Sequence, residues 1–226
     1  SEHVLLAKQS GVGGGFSHAV QGSKNERRWW RGSGAAAYFT VSTVKEPEPD
    51  EDGALYWRRR KEDCTAAYVV VLDDIGTKVD AIPPVEPTYK LESSDGNFQW
   101  GYIINPCEDL ERYAAIIDAL AELGFTDAGA GGYNRVMRVP GSINLKPGRD
   151  NYVSTVRDWH PDRFWELDDL ASELGVDLSK LHVRKPGKLV VLTGGKDAEI
   201  DMPDPLLSWL ESAGHVVEDK GVSHDW

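Results

Sequence analysis

Apolar positions along the chain follow two different periods. Residues 66–72 (Ala-Ala-Tyr-Val-Val-Val-Leu) form a continuous, largely β-branched run that predicts a buried strand, apolar on both faces and ending at Asp73. Residues 35–44 predict a second strand, and residues 97–104 a third, dense in apolar side chains from Phe98 onward. Over 110–123 the period lengthens. Tyr113, Ile116, Ile117 and Leu120 recur at helical spacing, and Gly124 closes the helix. Residues 163–174 predict another helix ended by Gly175, residues 55–61 a short helix or strand, 189–192 a short apolar run and 205–212 a terminal helix. Prolines punctuate a charged loop over 46–53 and a second loop at Pro83, Pro84 and Pro87. Strands mix with helices without strict βαβ alternation, and no internal repeat is visible. The pattern predicts an α+β domain rather than a Rossmann fold.

Composition narrows the class. A chain of 226 residues with 40% hydrophobic residues and eight tryptophans can bury a substantial core. No apolar run approaches the roughly 18 residues that cross a membrane, and the N-terminus has no signal-peptide apolar region, so a cytoplasmic protein without membrane contact is expected. Cys64 and Cys107 are far apart in sequence and are expected as reduced thiols. The six histidines form no HxxxH or HExxH pair, which argues against a zinc site. A net charge of −12 opposes tight binding of a polyanion. Its distribution is uneven, however. Acids crowd into 46–52 and 166–177, whereas bases cluster at Arg27 and Arg28, 58–61, 135–146 and 182–188, leaving room for a local basic channel.

Five segments are candidates for chemistry. Leu72-Asp73-Asp74-Ile75-Gly76 closes the most hydrophobic strand with two adjacent carboxylates, a costly arrangement unless a hard cation such as Mg²⁺ or Mn²⁺ compensates them. Adjacent strand residues point to opposite faces, so a bend near Gly76 or a turn is needed before both can reach one site. A solvated β-turn has the same composition. Ser93-Ser94-Asp95-Gly96-Asn97-Phe98-Gln99 offers amides for phosphate or sugar, or a plain polar turn. Residues 135–146 place Arg135, Arg138, Asn144 and Lys146 in a short strand and turn, either phosphate ligands or a solvated basic edge. Gly11–Gly15 lacks the GK[ST] ending of a phosphate loop and is expected to be flexible, while Trp29 and Trp30 among arginines could stack on bases or simply pack.

In order, Leu72-Asp73-Asp74-Ile75-Gly76-Thr77-Lys78, then Glu92 to Gln99, then Thr126-Asp127-Ala128-Gly129-Ala130 with Arg138-Val139-Pro140-Gly141-Ser142-Ile143-Asn144-Leu145-Lys146, resemble the archaeo-eukaryotic primase superfamily. More closely, these segments resemble the RepB-like primase domains of phage and plasmid replication proteins, over roughly residues 38–174. The Arg-x-Pro-Gly-[Ser/Thr]-x-Asn-x-Lys segment is the most specific part.

The resemblance implies an RRM-like antiparallel or mixed sheet with flanking helices and an N-terminal αβ unit. It also implies nucleotidyl transfer by two Mg²⁺ or Mn²⁺ ions about 3.5–4 Å apart on Asp73, Asp74 and Asp127. Gln99 stands where relatives carry histidine, a departure that weakens an expected triphosphate contact. Gln99, Arg138 and Lys146 would grip the triphosphate, and Asn97 or Asn144 would read sugar or phosphate. Expected partners are a single-stranded DNA template and nucleoside triphosphates. Residues 1–180 would form the catalytic domain and 181–226 the start of a longer replication protein with a helicase or zinc-binding region. A non-catalytic RRM-like binding module of a replication initiator, and a metal-dependent nuclease, are the competing readings.

Overall fold

In a computed structural model the chain divides into two compact units, Ser1–Lys185 and Pro186–Trp226. The structure describes residues 2–9, 16–20, 36–49 and 51–182, all within the first unit. The expected glycine loop at 11–15, the tryptophan–arginine segment at 27–31, the apolar run at 189–192 and the terminal helix at 205–212 lie outside the described residues.

Eight strands build one sheet: β1 (Glu2–Gln9), β2 (Phe16–Val20), β3 (Ala36–Lys45), β4 (Cys64–Ile75), β5 (Tyr89–Ser94), β6 (Asn97–Cys107), β7 (Val136–Arg138) and β8 (Thr155–Trp159). Their order is β2-β1-β3-β4-β6-β5-β8, and β7 pairs with β3. Every pairing of these strands is antiparallel. The α+β class predicted from the sequence is the observed one. Among the described residues the N-terminal part contributes strands alone to the expected αβ unit.

The central strand β4 needs apolar residues on both faces because both are covered. Val70 and Leu72 face the main core with Trp100, Tyr102 and the helices, while Val69 and Val71 join Val41 and Met137 on the opposite face. Helix α1 (Leu110–Glu122) buries Tyr113, Ile116, Ile117 and Leu120 in the main core. Its N-cap Asp109 accepts from the Arg112 N–H at 3.0 Å, and Gly124, at φ 78°, ends it. The Tyr113 hydroxyl donates to the Val69 carbonyl at 2.9 Å, tying helix to sheet. Leu120 is fully buried, so Leu120→Ala is expected to cost about 2–5 kcal/mol of stability, measurable by urea unfolding.

Several predicted bounds shift. Helix α2 (Leu167–Glu173) is shorter than expected, because Trp165 bridges to Ile104 in extended conformation and backbone bonds tie it to Ile103 and Asn105. Residues 55–60 are irregular instead of a helix or strand, with a 3₁₀ turn at Lys61–Asp63. The polar 93–99 segment is the tip of the β5–β6 hairpin, and β4 runs through both aspartates to Ile75 instead of stopping at Asp73. Both cysteines are free thiols, and no helix among the described residues is long and apolar enough to cross a membrane.

Candidate active site

Two neighbouring strand residues converge here because the backbone breaks its alternation. The β4–β6 register shifts between Leu72 and Ile75, and Asp74 occupies the left-handed region at φ 64°. Aspartate is among the few residues that tolerate this conformation. Gly76 follows at φ 86°, and a Cβ there would meet the Gly96 carbonyl oxygen at 2.6 Å, so the turn admits glycine alone. The Asp74 carbonyl accepts from the N–H groups of Thr77, Lys78 and Val79, folding the chain back over the acids.

The side chains confirm the common face. Gln99 Nε2 donates to Asp73 Oδ1 at 3.1 Å, and Asn97 Nδ2 donates to Asp74 Oδ1 at 2.9 Å. Asn97 and Gln99 are two apart on β6 and therefore project to one side of the sheet. Asp74 N–H also donates to Asp73 Oδ1 at 2.9 Å, and Asp73 N–H to Thr126 Oγ1 at 2.9 Å.

Asp127, the expected third acid, joins only through a lysine. Lys78 Nζ lies 2.6 Å from Asp74 Oδ2 and 3.5 Å from Asp127 Oδ2. Among the described residues, no three His, Cys, Asp or Glu side chains are close enough to enclose one metal ion.

The paired carboxyls differ in proton affinity. Burial, and then the charge of Asp74, push the Asp73 carboxyl above its ordinary value of 3.8. Burial acts upward on Asp74 too, but hydrogen bonds from Lys78 and Asn97, with the charges of Lys78 and Lys146, outweigh it and hold Asp74 below 3.8. The charge of Arg135 partly offsets the rise at Asp73.

The basic segment divides its work. Arg138 is 4% exposed, and its guanidinium donates to the Ile143 carbonyl at 2.9 Å and to Asn144 Oδ1 at 3.1 Å while stacking 4.9 Å over the Tyr38 ring. Asn144 is buried and donates to the Ser93 carbonyl at 2.8 Å. Arg138 and Asn144 thus pin the 139–146 loop against the β5–β6 hairpin. Gln99 reaches the same network, because its Oε1 accepts from the Arg138 N–H at 3.3 Å. Lys146 remains exposed, its charge felt at Asp74.

Sequence reading missed Lys78, Thr126 and Tyr38 as members of the site. Lys78 had a legible signal, a base four residues beyond Asp74 within one turn. Thr126 stood in a segment already singled out beside Asp127, but its bond to the Asp73 N–H, 53 residues away, had no signal, and Tyr38, 100 residues from Arg138, had none at all.

The donor set fits a hard divalent cation. Carboxylate oxygens are its preferred ligands, and Asp73 carries a burial cost that its neighbours offset only in part and that a cation would relieve. The Lys78 ammonium already marks one point between Asp74 and Asp127 where positive charge is at home. Lys78→Met is therefore expected to tighten Mn²⁺ binding by up to about fivefold, the worth of an exposed ion pair, in a calorimetric titration. Unchanged affinity would mean that ammonium and metal do not compete.

No protein-family model matches the sequence, and no curated protein matches it. Solved structures do match in fold. The archaeo-eukaryotic primase domain of the cyanophage S-2L primase-polymerase aligns at a TM-score of 0.57 with 9% identity, over 76% of this chain and 89% of that one. The catalytic domain of primase RepB′, solved in complex with initiator DNA, aligns at 0.53 with 16% identity, over 77% and 86%. A second RepB′ structure aligns at 0.51 with 15% identity, over 77% of this chain and 57% of that one. The chain thus carries an archaeo-eukaryotic primase-like fold.

Proposed function

We propose that this chain is the catalytic domain of a DNA primase-polymerase, building primers on single-stranded DNA by nucleotidyl transfer in the cytoplasmic replication of a phage or plasmid. The observation that carries the proposal is the convergence of Asp73 and Asp74 on one sheet face, in a fold shared with primase-polymerase domains. Asp73 and Asp74 would hold Mg²⁺ or Mn²⁺, with Asp127 as the third acid. Such ions, when bound, make a 3′-hydroxyl more acidic and neutralise charge on departing pyrophosphate.

The reaction joins a 3′-oxygen to the α-phosphorus of a nucleoside triphosphate and breaks the bond to pyrophosphate. The protein contributes mainly position and charge. Gln99 holds Asp73 Oδ1 and Asn97 holds Asp74 Oδ1, while Asp74 Oδ2 pairs with the Lys78 ammonium, whose place a cation would take. Lys146 and Lys78, exposed beside Asp74, are point charges suited to triphosphate oxygens. Arg138 and Asn144 act one step back, fixing the loop that carries Lys146.

The test is nucleotide incorporation into a primer on single-stranded template with Mg²⁺ or Mn²⁺. Incorporation that needs both template and divalent ion supports the proposal. Metal-dependent DNA cleavage without nucleotide uptake would make the chain a nuclease instead. Nucleic-acid binding with neither activity would make it a non-catalytic module.

A further inference from the structure

The sheet face that carries the two aspartates extends sideways to an exposed aromatic residue. Val71, Gly101, Tyr89 and Trp159 lie directly opposite one another across β4, β6, β5 and β8. Val71 and Tyr89 belong to the apolar cluster on the Asp73 side of β4, and Gly101 is two residues from Gln99 on the same strand. Gly101 has no side chain because the Tyr89 ring lies over it: a Cβ there would sit 2.0 Å from the ring carbons. Beyond it, Trp159 meets Tyr89 at a centroid distance of 6.4 Å and a tilt of 37°. Among the described residues Trp159 is the one exposed tryptophan, with 54% of its surface free.

We infer that Trp159 is a stacking platform for a base of single-stranded nucleic acid, its indole braced on the buried side by the Tyr89 ring. Naming the template as that strand rests on the polymerase proposal. Three strand spacings of about 4.8 Å and two residues along β4 separate Trp159 from Asp73, roughly 16 Å in all. That span is a few nucleotides of extended single strand. Indole faces stack on any base, which suits a strand that must be held without regard to sequence. The neighbouring carboxylate does not oppose it: Asp158 pairs across the strand with Lys90, which lies with Trp100 on the opposite face, and with His160. Pairing of β8 with a second copy of the chain is disfavoured by the short strand and by the charges of Arg157 and Asp158 within it.

The test uses the full chain and a labelled single-stranded oligothymidylate at low salt, read by fluorescence anisotropy. Trp159→Ala is expected to weaken binding by about 5–100-fold, with Trp159→Phe between it and wild type. Template KM should rise with kcat little changed, and thermal melting should match wild type. Equal oligothymidylate affinity in wild type and Trp159→Ala would overturn the inference, as would a wild-type dimer that Trp159→Ala converts to monomer without change in affinity. Wild-type incorporation with Trp159-insensitive binding would sink the platform alone. Trp159-sensitive binding without incorporation by wild type would sink the polymerase proposal and keep the platform.

Discussion

Asp73→Asn is expected to lower nucleotide incorporation on the order of 10³-fold while leaving the protein as stable as wild type, or more so. The two effects have one cause. Asp73 is a buried carboxylate beside a second acid, and both circumstances disfavour its charge in the folded protein. Asparagine removes that charge yet keeps an oxygen able to accept from Gln99 and from the Asp74 N–H, so the local hydrogen bonds survive. A residue whose removal relieves the fold and stops the chemistry is retained for the chemistry. Primer extension and thermal melting on the same preparations check both halves. Full activity in Asp73→Asn would remove the carboxylate from the mechanism. Loss of activity together with a large drop in melting temperature would point instead to a structural role.

The second large effect is expected at Gln99. Its amide donates to Asp73 and accepts from the Arg138 N–H, so one side chain aligns an acid and anchors the basic segment. Gln99→Leu removes the side-chain donor to Asp73 and the acceptor for the Arg138 N–H in a buried place, and should cost about 10–100-fold in incorporation, chiefly through kcat. Gln99→Glu should be at least as damaging, because it sets a third carboxylate against Asp73. Neutral histidine offers one donor and one acceptor, as the amide does, so Gln99→His should retain most activity. Equal activity across the three variants would show that the Asp73 orientation does not limit the reaction.

The elements easiest to read in the sequence were those whose local pattern matches their burial. The two-faced apolar run of β4 and the helical spacing of α1 needed no distant information. Strands β5 and β8 were invisible for the opposite reason. Tyr-Lys-Leu-Glu-Ser-Ser and Thr-Val-Arg-Asp-Trp are short and rich in charge, and only their pairing with β6 and with each other makes them strands. The acidic pair was legible as residues, but its convergence was not. That depended on a register shift and on a left-handed residue, neither of which side-chain alternation predicts. Arg138 is the complementary case. It was expected as a surface ligand of phosphate, whereas the structure gives its guanidinium inward partners from Tyr38, Ile143 and Asn144. Whether an arginine lies outside or inside is set by partners that only the tertiary fold supplies.

The left-handed backbone at Asp74 also limits what substitution can explore there. The conformation is open to glycine, asparagine and aspartate at little cost, and only the acids bring a hard cation the charged oxygens that bind it best. Those two sets share one member. Asp73 has no such constraint, since its backbone stays in ordinary extended space, and a longer acid is stereochemically admissible there. Random mutagenesis under selection for activity should therefore return aspartate alone at one position of the pair and a wider acidic choice at the other.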